Sequence, residues 1–148
     1  MARVLPIGPH MKSGTLESLG TGAPPSIVLG DDLAKKLSVA IGDRVTVTSP
    51  AAAINPFAPT VFRVSGTYHL DFDEYDERLG FAPLAAVQAT LGRGDQVMGV
   101  EATVKDLDRS ADVADAILKK LGGPPYAVQD WYELNKHLFT ALFGDHRP

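Results

Sequence analysis

Alternating apolar and polar positions organise the middle of the chain. Phe62, Val64 and Tyr68 alternate with polar residues, and this period of two predicts a strand over 60–68 with one buried face. Gly66 falls on the apolar face, where a missing side chain indicates a bulge or the close approach of a neighbouring element. Five carboxylates follow within seven residues and predict a solvated acidic turn: Asp71, Asp73, Glu74, Asp76 and Glu77.

The period changes after this turn. Residues 79–81 predict a short second strand, and Pro83 stands where a helix can begin, because its missing N–H has no partner in the first turn of a helix. Gly92 is typical of a helix C-terminus. The predicted buried face of this helix holds Leu84, Val87 and Leu91.

The first part of the chain predicts a strand, a helix and a second strand. Residues 1–25 are rich in proline and glycine, which predicts a loosely ordered lead-in. Residues 27–29 form an apolar run typical of a buried strand, and Asp31 is suited to cap the helix that follows Gly30. The next strand is predicted at Arg44–Thr48. The inner face of the predicted helix holds Leu33, Ala34 and Leu37.

The last part of the chain predicts a second strand, helix and strand series. Residues 98–105 have the cleanest alternation in the sequence and predict a half-buried strand, and 126–129 predict another. Ser110 is suited to cap the helix between them. Asp130, with Glu133 three residues later, resembles a capping box that opens a final helix. The apolar stripe of that helix is Trp131, Leu134, Leu138 and Leu142.

These elements predict an α+β fold with three parts. They are the lead-in (1–25), a middle subdomain (26–96) and a C-terminal part (97–148) that contains the second series and the final helix. The seam between the last two parts is expected at 92–97. The chain of 148 residues is long enough to bury a core of its own.

Composition narrows the classes of function. The net charge of −4 and the lack of a basic stripe argue against nucleic acid as a partner. The absence of cysteine excludes thiol nucleophiles, cysteine-bound zinc and disulfides. No apolar run approaches the roughly 18 residues that would span a bilayer.

No catalytic constellation is visible in the sequence. The four histidines, at 10, 69, 137 and 146, lack the close spacing of a metal motif, and the sequence has neither a nucleophile elbow nor a dinucleotide fingerprint. We therefore expect no enzyme, no cofactor and no metal. An outside alternative is a calcium-binding or carboxylate-dependent enzyme domain that uses the acidic run at Asp71, Asp73, Asp76 and Glu77.

A proline-rich loop separates two predicted strands. Three prolines in 49–60 forbid a central strand or a helix, which predicts a protruding loop at 50–60. Its apolar residues, Ile54 and Phe57, are suited either to contact a partner or to fold back onto the domain.

Several stretches together resemble a known family. They are SIVLGDDLAKKLSVAIGDRVTVTSP, FRVSGTYHLDFDEYDERLGFAPLAAVQATLG, VMGVEATV and YAVQDWYELNKHLFTAL. In this order they are similar to the periplasmic domain of the LolC/LolE-type permeases of lipoprotein-releasing ABC transporters, within the MacB/FtsX-like permease group. The resemblance runs from 27 to 142.

The resemblance implies a MacB-like periplasmic core domain, with a mixed-sheet subdomain and half of a βαβ subdomain. Such a domain lies at the periplasmic face of the inner membrane and is not catalytic. Its implied partners are a lipoprotein or its periplasmic carrier, a partner permease subunit and a separate ATPase subunit. The loop takes the place of a carrier-holding hairpin, which gives the partner-binding candidates Ile54, Asn55, Pro56, Phe57 and Pro59. A MacB-like efflux or FtsX-like signalling permease, which transmits ATP-driven motion, is the alternative.

Overall fold

The computed structural model describes residues 7–49 and 59–136. Its strands are β1 (Met11–Gly14), β2 (Ser26–Gly30), β3 (Arg44–Val47), β4 (Thr60–Tyr68) and β5 (Gly80–Phe81). Its α-helices are α1 (Asp31–Leu37), α2 (Asp73–Asp76), α3 (Leu84–Leu91), α4 (Ser110–Leu121) and α5 (Trp131–Leu134). The chain divides into two compact units between Glu101 and Ala102, a few residues beyond the expected seam at 92–97.

Strand β4 is the centre of the sheet in the first unit. Strand β2 pairs with it in parallel along one edge, and β5 continues the sheet as an antiparallel neighbour of β2. Strands β3 and β1 pair antiparallel with successive halves of the other edge of β4. The predicted strand at 60–68 is confirmed, and its parallel and antiparallel neighbours make the sheet mixed.

Gly66 permits the close approach that the sequence indicated. A Cβ atom on Gly66 would lie 2.6 Å from the backbone oxygen of Ser13 on β1. The pairing of β4 with β2 also shifts register here, because Ile27 lies opposite Val64 whereas Val28 lies opposite Gly66. Both the bulge and the close neighbour are therefore present at this glycine.

Apolar side chains cover both faces of the sheet. One core cluster consists of Ile27, Leu29, Ala34, Phe62 and Val64, against which Val45 and Val47 of β3 pack. The other consists of Ile7, Val28 and Tyr68, with Met11, Leu16 and Leu19 packed against it. Val28 packs in the second cluster, whereas Ile27 and Leu29 pack in the first. Because both faces of the sheet are covered at β2, every residue of this strand is buried.

The expectation of a loosely ordered lead-in is wrong for the described residues 7–25. They form β1 and two short 3-10 turns, at Gly8–His10 and Leu16–Ser18. Ile7 and its apolar neighbours bury the face of the sheet that α1 does not cover. Proline and glycine here shape a covering segment that packs on the sheet, since the apolar residues between them have a surface to bury.

Two details of α1 differ from the prediction. Gly30, rather than Asp31, occupies the N-cap position, and the cap has no side-chain hydrogen bond. Glycine is required because a Cβ atom at Gly30 would lie 2.2 Å from the backbone oxygen of Asp76. Leu37 was expected on the inner face but is 51% exposed, since α1 ends there and Ser38 turns into the left-handed region.

Helix α3 has the predicted ends but a different buried face. It begins directly after Pro83 and ends at Gly92, whose φ of 63° is the left-handed value typical of a C-cap. Leu84 and Val87 are exposed, contrary to the prediction, and Ala86 makes the contact with the first core cluster.

The strands predicted on either side of α4 are absent. Residues 98–105 and 126–129 belong to no strand, and Met98 and Val100 are 93% and 87% exposed. A strand needs a neighbour to accept and donate its backbone hydrogen bonds, and neither segment has a ladder partner among residues 7–49 and 59–136.

Two helical segments of the second unit, a 3-10 turn and α5, begin with aspartate caps. Asp106 accepts from the backbone N–H of Asp108 and opens a 3-10 turn at Leu107–Arg109 that leads into α4. The predicted cap, Ser110, is buried in the first turn and its hydroxyl has no hydrogen bond. The predicted cap of α5 is confirmed, because Asp130 accepts from the backbone N–H of Glu133 at 2.8 Å.

Candidate functional site

The predicted partner-binding loop connects a β-hairpin. Strands β3 and β4 are antiparallel, and their last pair, Val47 opposite Thr60, joins the two ends of the connection. Pro59 is exposed directly before β4. The other four candidates, Ile54, Asn55, Pro56 and Phe57, lie outside the described residues.

The base of this hairpin has one apolar and one charged face. Val45 and Val47 pack against the core, whereas Arg44 and Arg63 lie directly opposite each other and are both exposed. Like charges directly opposite on an antiparallel pair are destabilising. An acidic partner surface placed over this face would remove that repulsion.

The acidic turn lies at the other end of β4 and is organised around Asp76. This carboxylate is 1% exposed and accepts from the backbone N–H of Leu70 at 2.8 Å and of Phe72 at 3.2 Å. The expectation that the whole run is solvated is therefore wrong for Asp76. It holds for Asp71 and Asp73, which are exposed.

Tyr68 is buried against the same turn and is hydrogen-bonded to its backbone. Its hydroxyl lies within hydrogen-bond distance of two carbonyl oxygens, those of Tyr75 at 2.9 Å and Leu79 at 3.1 Å, and shares its one proton between them. Burial, with the Asp76 carboxylate nearby, raises the pKa of Tyr68 to about 12. The phenol therefore stays protonated near neutral pH and remains a donor to the turn.

The calcium alternative fails on geometry. Asp76 is turned inward to backbone N–H groups, Asp71 contacts His69 at 2.9 Å, and Glu77 pairs with Lys36 on α1 at 2.7 Å. The predicted ligands thus face different partners, and a calcium ion needs six to eight oxygen atoms around one point.

The structure brings together a different group that the sequence spacing did not indicate. Asp32, His69 and Asp76 each place one potential ligand atom within 4.8 Å of the others. Asp32 lies in the first turn of α1, His69 follows β4 and Asp76 ends α2, so only the fold makes them neighbours. A hydrogen bond from Lys35 lowers the pKa of Asp32, which therefore stays ionised.

The chain belongs to the family of the MacB-like periplasmic core domain, whose sequence profile matches residues 4–120. This membership confirms the resemblance, the α+β fold class and the periplasmic location expected from the sequence.

Named relatives point to one branch of the permeases. The chain is 33% identical over 144 residues to the lipoprotein-releasing system transmembrane protein LolC of Xylella fastidiosa strain Temecula1, and 24% identical to the protein of that name in Neisseria meningitidis serogroup B. Each alignment covers 95% of this chain and 34% of the relative, so the chain spans about a third of their length. Within the described residues, no helix has the length and apolar character needed to cross a bilayer.

Proposed function

We propose that this chain is the periplasmic, non-catalytic module of an inner-membrane ABC transporter permease that releases lipoproteins from the membrane. The observation that carries the proposal is the 33% identity to LolC across 95% of the chain. The rest of the transporter then comprises a partner permease subunit and a separate ATPase subunit, and energy reaches this module from outside it.

The β3–β4 hairpin is the part that meets a periplasmic lipoprotein carrier. Its connection holds Ile54 and Phe57, which are suited to act as apolar anchors of an interface. Its base presents Arg44 and Arg63 side by side on an exposed face. Apolar anchors and a basic face on one hairpin fit a carrier with an apolar groove and an acidic rim, because the charges would steer the encounter.

A second candidate function rests on the family's MacB-like description. In a MacB-like efflux or FtsX-like signalling permease, the same module transmits ATP-driven motion and holds no carrier. The two functions differ in one measurable property, which is direct affinity of the isolated chain for a lipoprotein carrier.

Calorimetric titration of the chain with its cognate periplasmic carrier tests the proposal. We expect binding in the micromolar range that falls at least about tenfold in Phe57→Ala, since loss of a central apolar anchor costs more than about 1 kcal/mol. The matched control is Phe72→Ala, because Phe72 is an exposed phenylalanine in the acidic turn at the opposite end of β4. We expect that variant to bind as the parent does.

Two results would count against carrier binding at the hairpin. Equal weakening by Phe57→Ala and Phe72→Ala would place the contact elsewhere or show a general loss of folding. No heat at several hundred micromolar carrier would favour the motion-transmitting alternative.

A further inference from the structure

We propose that Asp32, His69 and Asp76 form a binding site for a divalent transition metal of the Zn²⁺ type. The site would join the start of α1, the end of β4 and the end of α2. The sequence led us to expect no metal, because none of the four histidines has the spacing of a metal motif.

The orientation of the His69 ring is the first argument. Its Nε2 lies 2.9 Å from Oδ1 of Asp71, so that carboxylate can accept a hydrogen bond from an N–H at Nε2. A carboxylate in this position is the usual outer partner of a metal-binding histidine, because it fixes the tautomer and the ring plane. In the tautomer with its proton on Nε2, the other nitrogen, Nδ1, offers a lone pair to a metal.

The surroundings of that lone pair are the second argument. Nδ1 is buried without a hydrogen bond and lies 3.1 Å from Oδ2 of Asp76. In that tautomer the lone pair and the carboxylate oxygen repel each other at this distance, and a metal cation beside both atoms would remove the repulsion. Two atoms bound to one tetrahedral zinc at about 2.0 to 2.1 Å are separated by roughly 3.3 Å, close to the distance observed.

Asp76 is already held as a ligand would be. Its two oxygens accept from the backbone N–H groups of Leu70 and Phe72, which fixes the carboxylate and leaves further lone pairs free. Asp32 offers the third ligand atom, within 4.8 Å of the other two, and its side chain would turn towards the metal. Its present partner, Lys35, also contacts Asp31 at 2.9 Å and can keep that contact when Asp32 turns to a metal.

The donor set determines the class of ion. One imidazole and two carboxylates suit Zn²⁺ or Mn²⁺, with water in the remaining position, whereas Ca²⁺ and Mg²⁺ prefer oxygen ligands alone. Because the three ligands come from three elements, the ion would bind the folded chain in preference to the unfolded chain and stabilise it.

Titration of the tag-free chain with ZnCl₂, by calorimetry and by thermal unfolding with and without EDTA, tests the proposal. We expect one ion per chain with micromolar affinity and a rise in Tm on the order of 5 °C at saturation. His69→Gln and Asp32→Asn should each weaken binding at least about tenfold. Nitrogen NMR of the histidine rings should show a zinc-dependent shift at Nδ1 of His69.

Two matched variants control for nonspecific binding of zinc to surface side chains. His10→Gln removes an exposed histidine outside the cluster, and Asp73→Asn removes an exposed carboxylate of the same acidic turn. Both should bind zinc as the parent does. Asp32→Asn keeps every histidine, so loss of binding in that variant assigns the site even if His69→Gln fails to fold.

Three results would overturn the proposal. They are no binding up to about 1 mM zinc, unchanged binding in Asp32→Asn, and a His69 ring that carries protons on both nitrogens near pH 7 and ignores added zinc. The last result would mean that a proton, and no metal, bridges His69 and Asp76.

Discussion

Residues 60–68 and 98–105 have the same alternation of apolar and polar side chains, yet only the first forms a strand. Strand β4 pairs with β1, β2 and β3, and its Val64 is 1% exposed. Residues 98–105 pair with no strand in the described part of the chain, and Val100 is 87% exposed. Alternation therefore specifies which side chains a strand would bury, whereas pairing decides whether the strand exists.

The largest expected difference between the two segments is at their glycines. Gly66→Ala places a Cβ atom 2.6 Å from the Ser13 carbonyl oxygen, so β1 must move away from β4. We expect a loss of about 3 kcal/mol in the free energy of unfolding. Denaturant titration followed by far-ultraviolet circular dichroism measures it, because this signal follows the loss of the sheet.

Gly99→Ala is the matched change in the other segment. Nothing lies within 4 Å of the added Cβ atom. We expect no loss, or a gain of a few tenths of a kcal/mol, because alanine restricts the unfolded chain more than glycine does. A similar loss in both variants would mean that residues 98–105 are packed as tightly as β4.

The next largest difference is expected at the apolar positions. Val64→Ala removes two buried methyl groups from the first core cluster and should cost about 2 kcal/mol. Val100→Ala removes the same groups from an exposed side chain and should cost less than about 0.5 kcal/mol. Parallel denaturant titrations compare them, and a cost at Val100 near that at Val64 would contradict the comparison.

Local signals in the sequence predicted the parts of the fold that depend on local chemistry. Four features were predicted correctly because each depends on adjacent residues. They are the buried run at 27–29, the strand at 60–68, the end of α3 at Gly92 and the cap at Asp130. The covering role of residues 7–19 was not, because it depends on a sheet face formed much later in the chain.

The candidate sites also contain a part that the sequence predicted and a part that only the structure shows. The sequence identified the hairpin connection by its prolines, and the structure supplies the strand pair, Val47 with Thr60, at its base. It did not show that Asp76 is buried or that Asp32 lies beside His69. A run of carboxylates predicts a solvated turn on average, and only the path of β4 and α1 shows which one is enclosed.

The smallest expected effect is an alkaline loss of stability that belongs to the end of β4. The pKa of Tyr68 is raised to about 12 in the folded chain, against about 10 in an unfolded chain. The folded state therefore keeps its proton more tightly, and this contribution to stability is complete below pH 10 and is lost as the pH rises through about 12.

Tyr68→Phe isolates this effect from other groups that titrate at high pH. The variant loses the hydrogen bond that the hydroxyl shares between Tyr75 and Leu79, so its stability should be lower by about 1 kcal/mol near pH 8. That deficit should shrink as the pH rises from 10 to 11.5. Over this range the phenol of the parent ionises in the unfolded chain and stays protonated in the folded chain, which stabilises the unfolded parent, whereas the variant has no phenol. Urea midpoints at half-unit pH steps measure the difference. A deficit that stays constant over this range would mean that Tyr68 titrates alike in the folded and unfolded chain, and that the end of β4 is open to water.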